Sequence, residues 1–286
     1  EEQHIELLIN FTESTKSYMN KAFTFSQMIN VIKMCSTINE LTDETVHINN
    51  LGIIIYRVFV GLLEKRHKLK EKVLNIFDEL HLPLPDEIKN SIDEDPMIVT
   101  EENGYLGIKS KITKYFIKSP YAENKEANIA FTPMLAEMLD IIHLGLVTNI
   151  PVIFEGMPGQ GKNTAIKRMA ELLGYEVTNI IISSSTKVDD LLGKVTILRD
   201  ENNNIHVKII ETKLVKALSS KSGLSNSIIV FHNINNASPA VLQVLVSIFN
   251  QHQKDIILTD GSTITKGQVN LIAIFNPQNG FSNRDK

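Results

Sequence analysis

Hydrophobic positions recur along this chain at two different periods, and the change of period divides it. Over residues 1–90 the apolar positions fall three and four apart, the spacing of amphipathic helices. Ile5, Leu8 and Ile9 begin the pattern. Phe25, Met28, Ile29, Ile32 and Met34 continue it after Thr24 and Ser26, either of which suits a helix N-cap. Leu51, Ile54, Ile55, Val58, Phe59, Leu62 and Leu63 mark a third helix over 48–68, and a fourth over 69–80 stops before Pro83 and Pro85. Residues 91–127 break this rhythm. With Asp86 and Glu87 before them, Asp93, Glu94, Asp95, Glu101 and Glu102 make an acidic connector; Gly104 and Gly107 flank a short apolar patch of Tyr105, Leu106 and Ile108, and Ile112, Tyr115, Phe116 and Ile117 suggest a strand or short hairpin.

From residue 128 helices and strands alternate. Thr132-Pro133 is a helix start, with Leu135, Met138, Leu139, Ile142 and Leu146 on one face. Short apolar runs at 150–154, 176–183, 228–231 and 269–275 predict strands, and helices are expected over 164–173 and 239–251. Two further pairs of runs, 195–199 with 205–210 and 256–258 with 263–265, flank polar tips and predict antiparallel hairpins. Alternating strands and helices imply a parallel sheet flanked by helices, with the ligand at the carboxyl ends of its strands. The expected organisation is an all-α region over 1–90, a connector over 91–127 and an α/β core over 128–286.

The chemistry concentrates at those carboxyl ends. Gly156-Met157-Pro158-Gly159-Gln160-Gly161-Lys162-Asn163-Thr164 stands between a predicted strand and a predicted helix. That order is the setting of a phosphate-binding loop: backbone N–H groups and a helix N-terminus surround the anion, and Lys162 reaches it as a point charge. The position after the lysine normally carries a hydroxyl that ligates magnesium, and here it is Asn163. Thr164, next along, points about 100° around the helix. The strand at 228–231 is followed by His232 and Asn233, where an acid should orient the metal, and the strand at 269–275 by Asn276. The parts that grip phosphate are present; those that hold magnesium and activate water are replaced.

Composition narrows the alternatives. With 43% apolar and 22% charged residues the chain can bury a core, and a formal charge of −4 gives no electrostatic case for a nucleic-acid partner. The cluster Lys65, Arg66, His67, Lys68 and Lys70 is interleaved with Glu64 and Glu71 and reads as a solvated helix face. The single cysteine, Cys35, sits in an apolar helical run and His143 on an apolar helix face, so both read as core residues. No apolar run approaches membrane-spanning length.

Phe131-Thr132-Pro133, the loop from Gly156 to Lys162, Lys213 to Leu218, Asn233-Ile234-Asn235-Asn236-Ala237-Ser238-Pro239 and Asn276-Pro277-Gln278-Asn279-Gly280 occur in that order. Together they resemble a module of the AAA+ ATPases, in particular the midasin and dynein-related group. The resemblance covers residues 128–286. It implies an AAA+ P-loop core, with Gly156, Pro158, Gly159, Gln160, Gly161, Lys162, Asn163 and Thr164 around ATP or ADP and Asn276 as the sensor beside the γ-phosphate. His232 and Asn233 stand where the family has two acids, which leaves magnesium in question, with Asn163 at its ligand position. Residues 1–90 resemble the helical lid of a preceding module, and the chain is expected to stop before the fifth strand, arginine finger and lid of its own. Arg284 comes too early to be that finger. The resemblance implies a degenerate module that binds nucleotide with little or no hydrolysis. Its partners would be neighbouring AAA+ modules of the same chain in a ring, and its substrate a protein or ribonucleoprotein complex, pre-ribosomal if midasin-like. An intracellular, and then nuclear, location is expected, with no direct nucleic-acid or membrane contact. Two other readings stand beside this one: an active ATPase with atypical magnesium ligands, and a non-catalytic interaction scaffold with a vestigial loop.

Overall fold

The computed structural model describes residues 2–15, 30–36, 47–57, 67–82, 84, 94–125, 129–199, 205–219, 227–267 and 269–276. Several sequence expectations fall outside the described residues: the apolar positions Phe25 to Ile29 and Val58 to Leu63, the stops at Pro83 and Pro85, the hairpin tip at 200–204, the motif Pro277 to Gly280, and Arg284. The elements in chain order are α1 (Glu2–Thr15), α2 (His47–Ile55), α3 (His67–Glu79), β1 (Met97–Glu102), β2 (Tyr105–Ser110), β3 (Phe116–Lys118), α4 (Pro133–Thr148), β4 (Val152–Glu155), α5 (Lys162–Leu173), β5 (Glu176–Ile181), α6 (Val188–Leu192), β6 (Lys194–Arg199), β7 (Ile205–Ile210), α7 (Lys213–Leu218), β8 (Ser227–His232), a 3-10 turn (Ile234–Asn236), α8 (Pro239–Phe249), β9 (Asp255–Ile257), β10 (Thr263–Thr265) and β11 (Asn270–Phe275). Residues 30–36 are also helical. Among the described residues no helix is long and apolar enough to cross a membrane.

The chain forms two compact units. One comprises Glu1–Ile98, Lys109–Ile117 and Ala130–Thr148; the other comprises Val99–Ile108, Lys118–Ile129 and Asn149–Lys286. In the first unit the helical periodicity builds a core, but in α1 the predicted positions Ile5 and Ile9 are exposed and Phe11 takes their place beside Leu8, because the buried stripe follows Leu8 and Phe11, three apart. Leu8 and Phe11 of α1, Leu51, Ile54 and Ile55 of α2, and Val73 and Phe77 of α3 share one core with Val31 and Cys35. The rings of Phe11 and Phe77 meet edge to face at 5.2 Å, the arrangement their quadrupoles favour. Burial without a compensating charge pushes the Cys35 thiol up to about 12, so it packs as a small apolar group. α4 belongs to this unit and carries a fully buried carboxylate, Asp140. Arg57 donates through Nε to Asp140 Oδ2 at 2.8 Å and through Nη1 to Glu137 Oε1 at 2.8 Å, and Ser110 Oγ donates to Asp140 Oδ1 at 2.8 Å. A buried charge is tolerable only when paired and hydrogen-bonded, and Asp140 is both. His143, on the same helix, is fully buried.

The second unit is built on a four-stranded sheet of order β4-β11-β8-β5, parallel throughout. The two inner strands, β8 and β11, are buried from their second to their fifth residues, while the edge strands β4 and β5 alternate between covered and open positions. Inner strands of a parallel sheet are covered on both faces, and this is why their sequences are unbroken apolar runs. Phe231, Ile229, Leu271 and Ala273 pack with Leu214, Val215 and Leu218 of α7 and with Val241, Leu245 and Ile248 of α8. Both predicted hairpins are present and antiparallel: Lys194 pairs with Ile210 across β6 and β7, and Thr263 with Ile257 across β9 and β10.

One stretch differs from expectation. The acidic connector contains a strand, β1, ending in Glu101 and Glu102, and β1, β2 and β3 form a three-stranded sheet in that order. Asn103 and Gly104 join β1 to β2 with φ of 52° and 77°. Both central residues of a tight two-residue hairpin turn need positive φ, and Asn-Gly is the pair that adopts it at least cost. The β-branched run Ile98-Val99-Thr100 outweighs the acids that follow it.

Candidate nucleotide site

β4 ends at Glu155, beside Phe275 of β11, and Gly156 N donates to Phe275 O at 3.1 Å. The loop therefore leaves the sheet at the carboxyl end of the strand next to it. A side chain on Gly156 would collide with the carboxamide of Gln160, which folds over it. Gly159 and Gly161 both have φ of +87°, a left-handed conformation that glycine takes without steric penalty. Gly161 is the N-cap of α5; among the described residues no side chain caps that terminus, and its first turn carries no acid. The first N–H groups of α5 thus have no helical partner and no side-chain competitor, and the helix dipole adds partial positive charge. This is an anion cradle.

Lys162 opens α5 and is 8% exposed. Its ammonium donates to Gly156 O at 2.6 Å and to Met157 O at 2.7 Å, so it lies inside the loop. Burial holds its pKa below the ordinary lysine value. Asn163 is exposed and Thr164 half-buried in the same helical turn.

The sheet register aligns the other predicted site residues with this loop. Ile274, one residue before the end of β11, pairs with His232, the last residue of β8. His232 Nε2 lies 2.8 Å from Asn179 Oδ1 on β5, so that nitrogen carries the proton and donates it. Half-burial with no acid beside it lowers the pKa of His232, which favours the neutral ring. Asn233 is left-handed, with φ 58° and ψ 43°, and starts the 3-10 turn. Asn276 Nδ2 donates to Asn233 Oδ1 at 2.6 Å, and Asn276 N donates to Asn235 Oδ1 at 3.3 Å. Asn235 Nδ2 in turn donates to Asn236 Oδ1 at 3.0 Å. Asn276 Oδ1 is buried and has no hydrogen-bond partner among the described residues. Ser238 caps α8 by accepting from Val241 N at 3.4 Å, and Pro239 takes the first helical position.

Gly156, Lys162, His232, Asn233 and Asn276 therefore stand at the carboxyl ends of three adjacent strands. Two members of the set were not singled out from sequence: Asn179 and Asn235. Asn179 lies in β5 beside Thr178 and Glu176, so its polarity did not set it apart in the sequence.

The loop fits a polyphosphate. Its donors are backbone N–H groups and one ammonium, and its glycines admit close approach of an anion. At the end of β8 no carboxylate stands ready for magnesium. That ion wants oxygen ligands in octahedral array. Here the Asn233 oxygen is taken by Asn276, the His232 ring is taken by Asn179, and Asn163 offers one amide. Among the described residues no group of three His, Cys, Asp or Glu could hold a metal.

Residues 151–286 match the AAA domain profile of the dynein-related subfamily. A stretch of 129 residues is 30% identical to midasin from Giardia intestinalis; it spans 45% of this chain and 2% of that protein. Among solved structures, a candidate ATPase from Cytophaga hutchinsonii aligns with a TM-score of 0.35 at 17% identity, over 51% of this chain and 43% of its own. The NtrX protein of Brucella abortus aligns with a TM-score of 0.37 at 12% identity, over 52% of this chain and 32% of its own.

Proposed function

We propose that residues 151–286, which are an AAA+ module of the dynein-related and midasin group, hold ATP or ADP as a structural ligand and hydrolyse it slowly or not at all. The phosphates sit on the N-terminus of α5 with Lys162 beside them. The observation that carries this reading is the contrast within one site: the cradle is complete, while the two positions at the end of β8 are an imidazole and a carboxamide hydrogen-bonded to other asparagines. Phosphoryl transfer depends on positioning and charge stabilisation, and the groups that normally orient the metal and the water are carboxylates and hydroxyls. Without them, binding energy remains and the rate enhancement falls.

The similarity to midasin supports a second part of the proposal: the module works as one member of a ring of such modules, with a protein or ribonucleoprotein complex as the object remodelled. Nuclear location follows if that object is pre-ribosomal; imaging the tagged parent protein tests it, and exclusion from the nucleus contradicts it.

The binding part is tested by titrating the purified chain with a fluorescent adenine nucleotide. Lys162→Ala is expected to weaken binding about tenfold or more, equivalent to about 1.4 kcal/mol. Equal affinity in the variant would remove the loop from the account.

A further inference from the structure

The two sides of this site offer a nucleotide opposite kinds of group. The loop side offers donors: the N–H groups of the first turn of α5 and the Lys162 ammonium. In P-loop sites the lysine reaches the β- and γ-phosphates, and the residues after the β8-type strand face the metal that bridges them. In this chain those residues direct donors at one another. His232 Nε2–H is committed to Asn179 Oδ1, and Asn276 Nδ2 is committed to Asn233 Oδ1 at 2.6 Å. The backbone N–H of Asn276 is committed to Asn235 Oδ1. What is left facing no partner among the described residues is an acceptor, the buried Asn276 Oδ1.

An unpaired buried acceptor requires a donor, and a water molecule supplies one. A third phosphate supplies only more acceptors and more negative charge, and the positions at the end of β8 carry no carboxylate to hold a metal that would offset it. We infer that the site selects a nucleoside diphosphate, taken without a metal ion, and that Asn233 enforces the choice by holding the Asn276 amide away from the third phosphate. Asn233 is then a positioning residue: its left-handed backbone turns its side chain so that its oxygen meets the Asn276 amide. The inference rests on the nucleotide-binding reading above and deepens it.

The test is calorimetric titration of the chain with ADP and with ATP, each in EDTA and in excess magnesium. ADP is expected to bind with the same affinity in both buffers to within about twofold, and ATP about tenfold or more weakly than ADP in either, a gap of about 1.4 kcal/mol. Asn233→Ala frees the Asn276 amide and is expected to narrow the ADP-to-ATP gap to about threefold or less, mainly by tightening ATP. Magnesium–ATP binding as tightly as ADP, or loss of ADP affinity by tenfold or more in EDTA, overturns the inference while leaving nucleotide binding intact. Failure of both nucleotides to bind overturns the underlying reading as well. The wild-type comparison decides the matter even where the variant does not fold.

Discussion

Gly156 separates the end of β4 from the Gln160 carboxamide by a hydrogen atom, and its substitution is informative because the obstacle is soft. In Gly156→Ala the new methyl group displaces the tip of a flexible side chain. Stability is expected to change by no more than about 0.5 kcal/mol, while nucleotide affinity falls because Gln160 is driven across the loop. Urea denaturation and nucleotide titration of the same sample separate the two effects. A large loss of stability with unchanged affinity would contradict this account of the loop. At this scale the sequence named Gly156 to Lys162 from the glycine-rich motif between strand and helix, and His232, Asn233 and Asn276 from the strand ends, and the structure brings these residues to one edge of the sheet. Their partners were not legible there. Asn179 and Asn235 matter through contacts across strands and turns, and such pairings depend on register, which a single sequence does not display.

Elements follow local chemistry more closely than single contacts do. α5 ends at Gly174, which has φ +66° and donates its N–H to Ala170 O and Glu171 O, the left-handed C-cap that glycine favours. A methyl group there would lie 2.6 Å from Tyr121 Cβ and 2.7 Å from Tyr121 O, and the second of these is backbone. Gly174→Ala is therefore expected to destabilise the fold by about 1–3 kcal/mol, measured by urea denaturation at constant m-value. A neutral result would mean that α5 and the segment around Tyr121 can move apart freely. The inner strands β8 and β11 were legible because burial on both faces demands unbroken apolar runs. β1 was not, because its last two residues are Glu101 and Glu102 and an acidic stretch has the composition of a connector, although Asn103-Gly104 after it is a hairpin-turn pair. Charged residues at the open end of a strand cost little, so local charge is a weak argument against β structure there.

In the molecule as a whole, polar chemistry is placed at two depths. In the α/β unit it lies at the sheet's carboxyl edge, where a ligand can complete it. In the helical unit it is sealed, with Arg57 paired to Glu137 and Asp140 at 6% side-chain exposure. Asp140→Ala leaves that guanidinium buried without its main partner and is expected to cost about 3–5 kcal/mol, whereas replacing Arg57 and Asp140 together by apolar residues of similar volume costs less. Thermal unfolding of the single and paired variants checks this, and equal losses would mean that the pair contributes only through packing. Such sealed pairs are hard to foresee, since Arg57 and Asp140 are far apart in sequence and each looks like an ordinary surface charge in its own helix.

The central claim is that this AAA+ module grips nucleotide without turning it over. Its most direct test is phosphate release from ATP labelled at the γ-position, followed for many hours with excess magnesium and the purified chain. The account predicts release no faster than from the Lys162→Ala variant. Magnesium-dependent release that Lys162→Ala abolishes would contradict it.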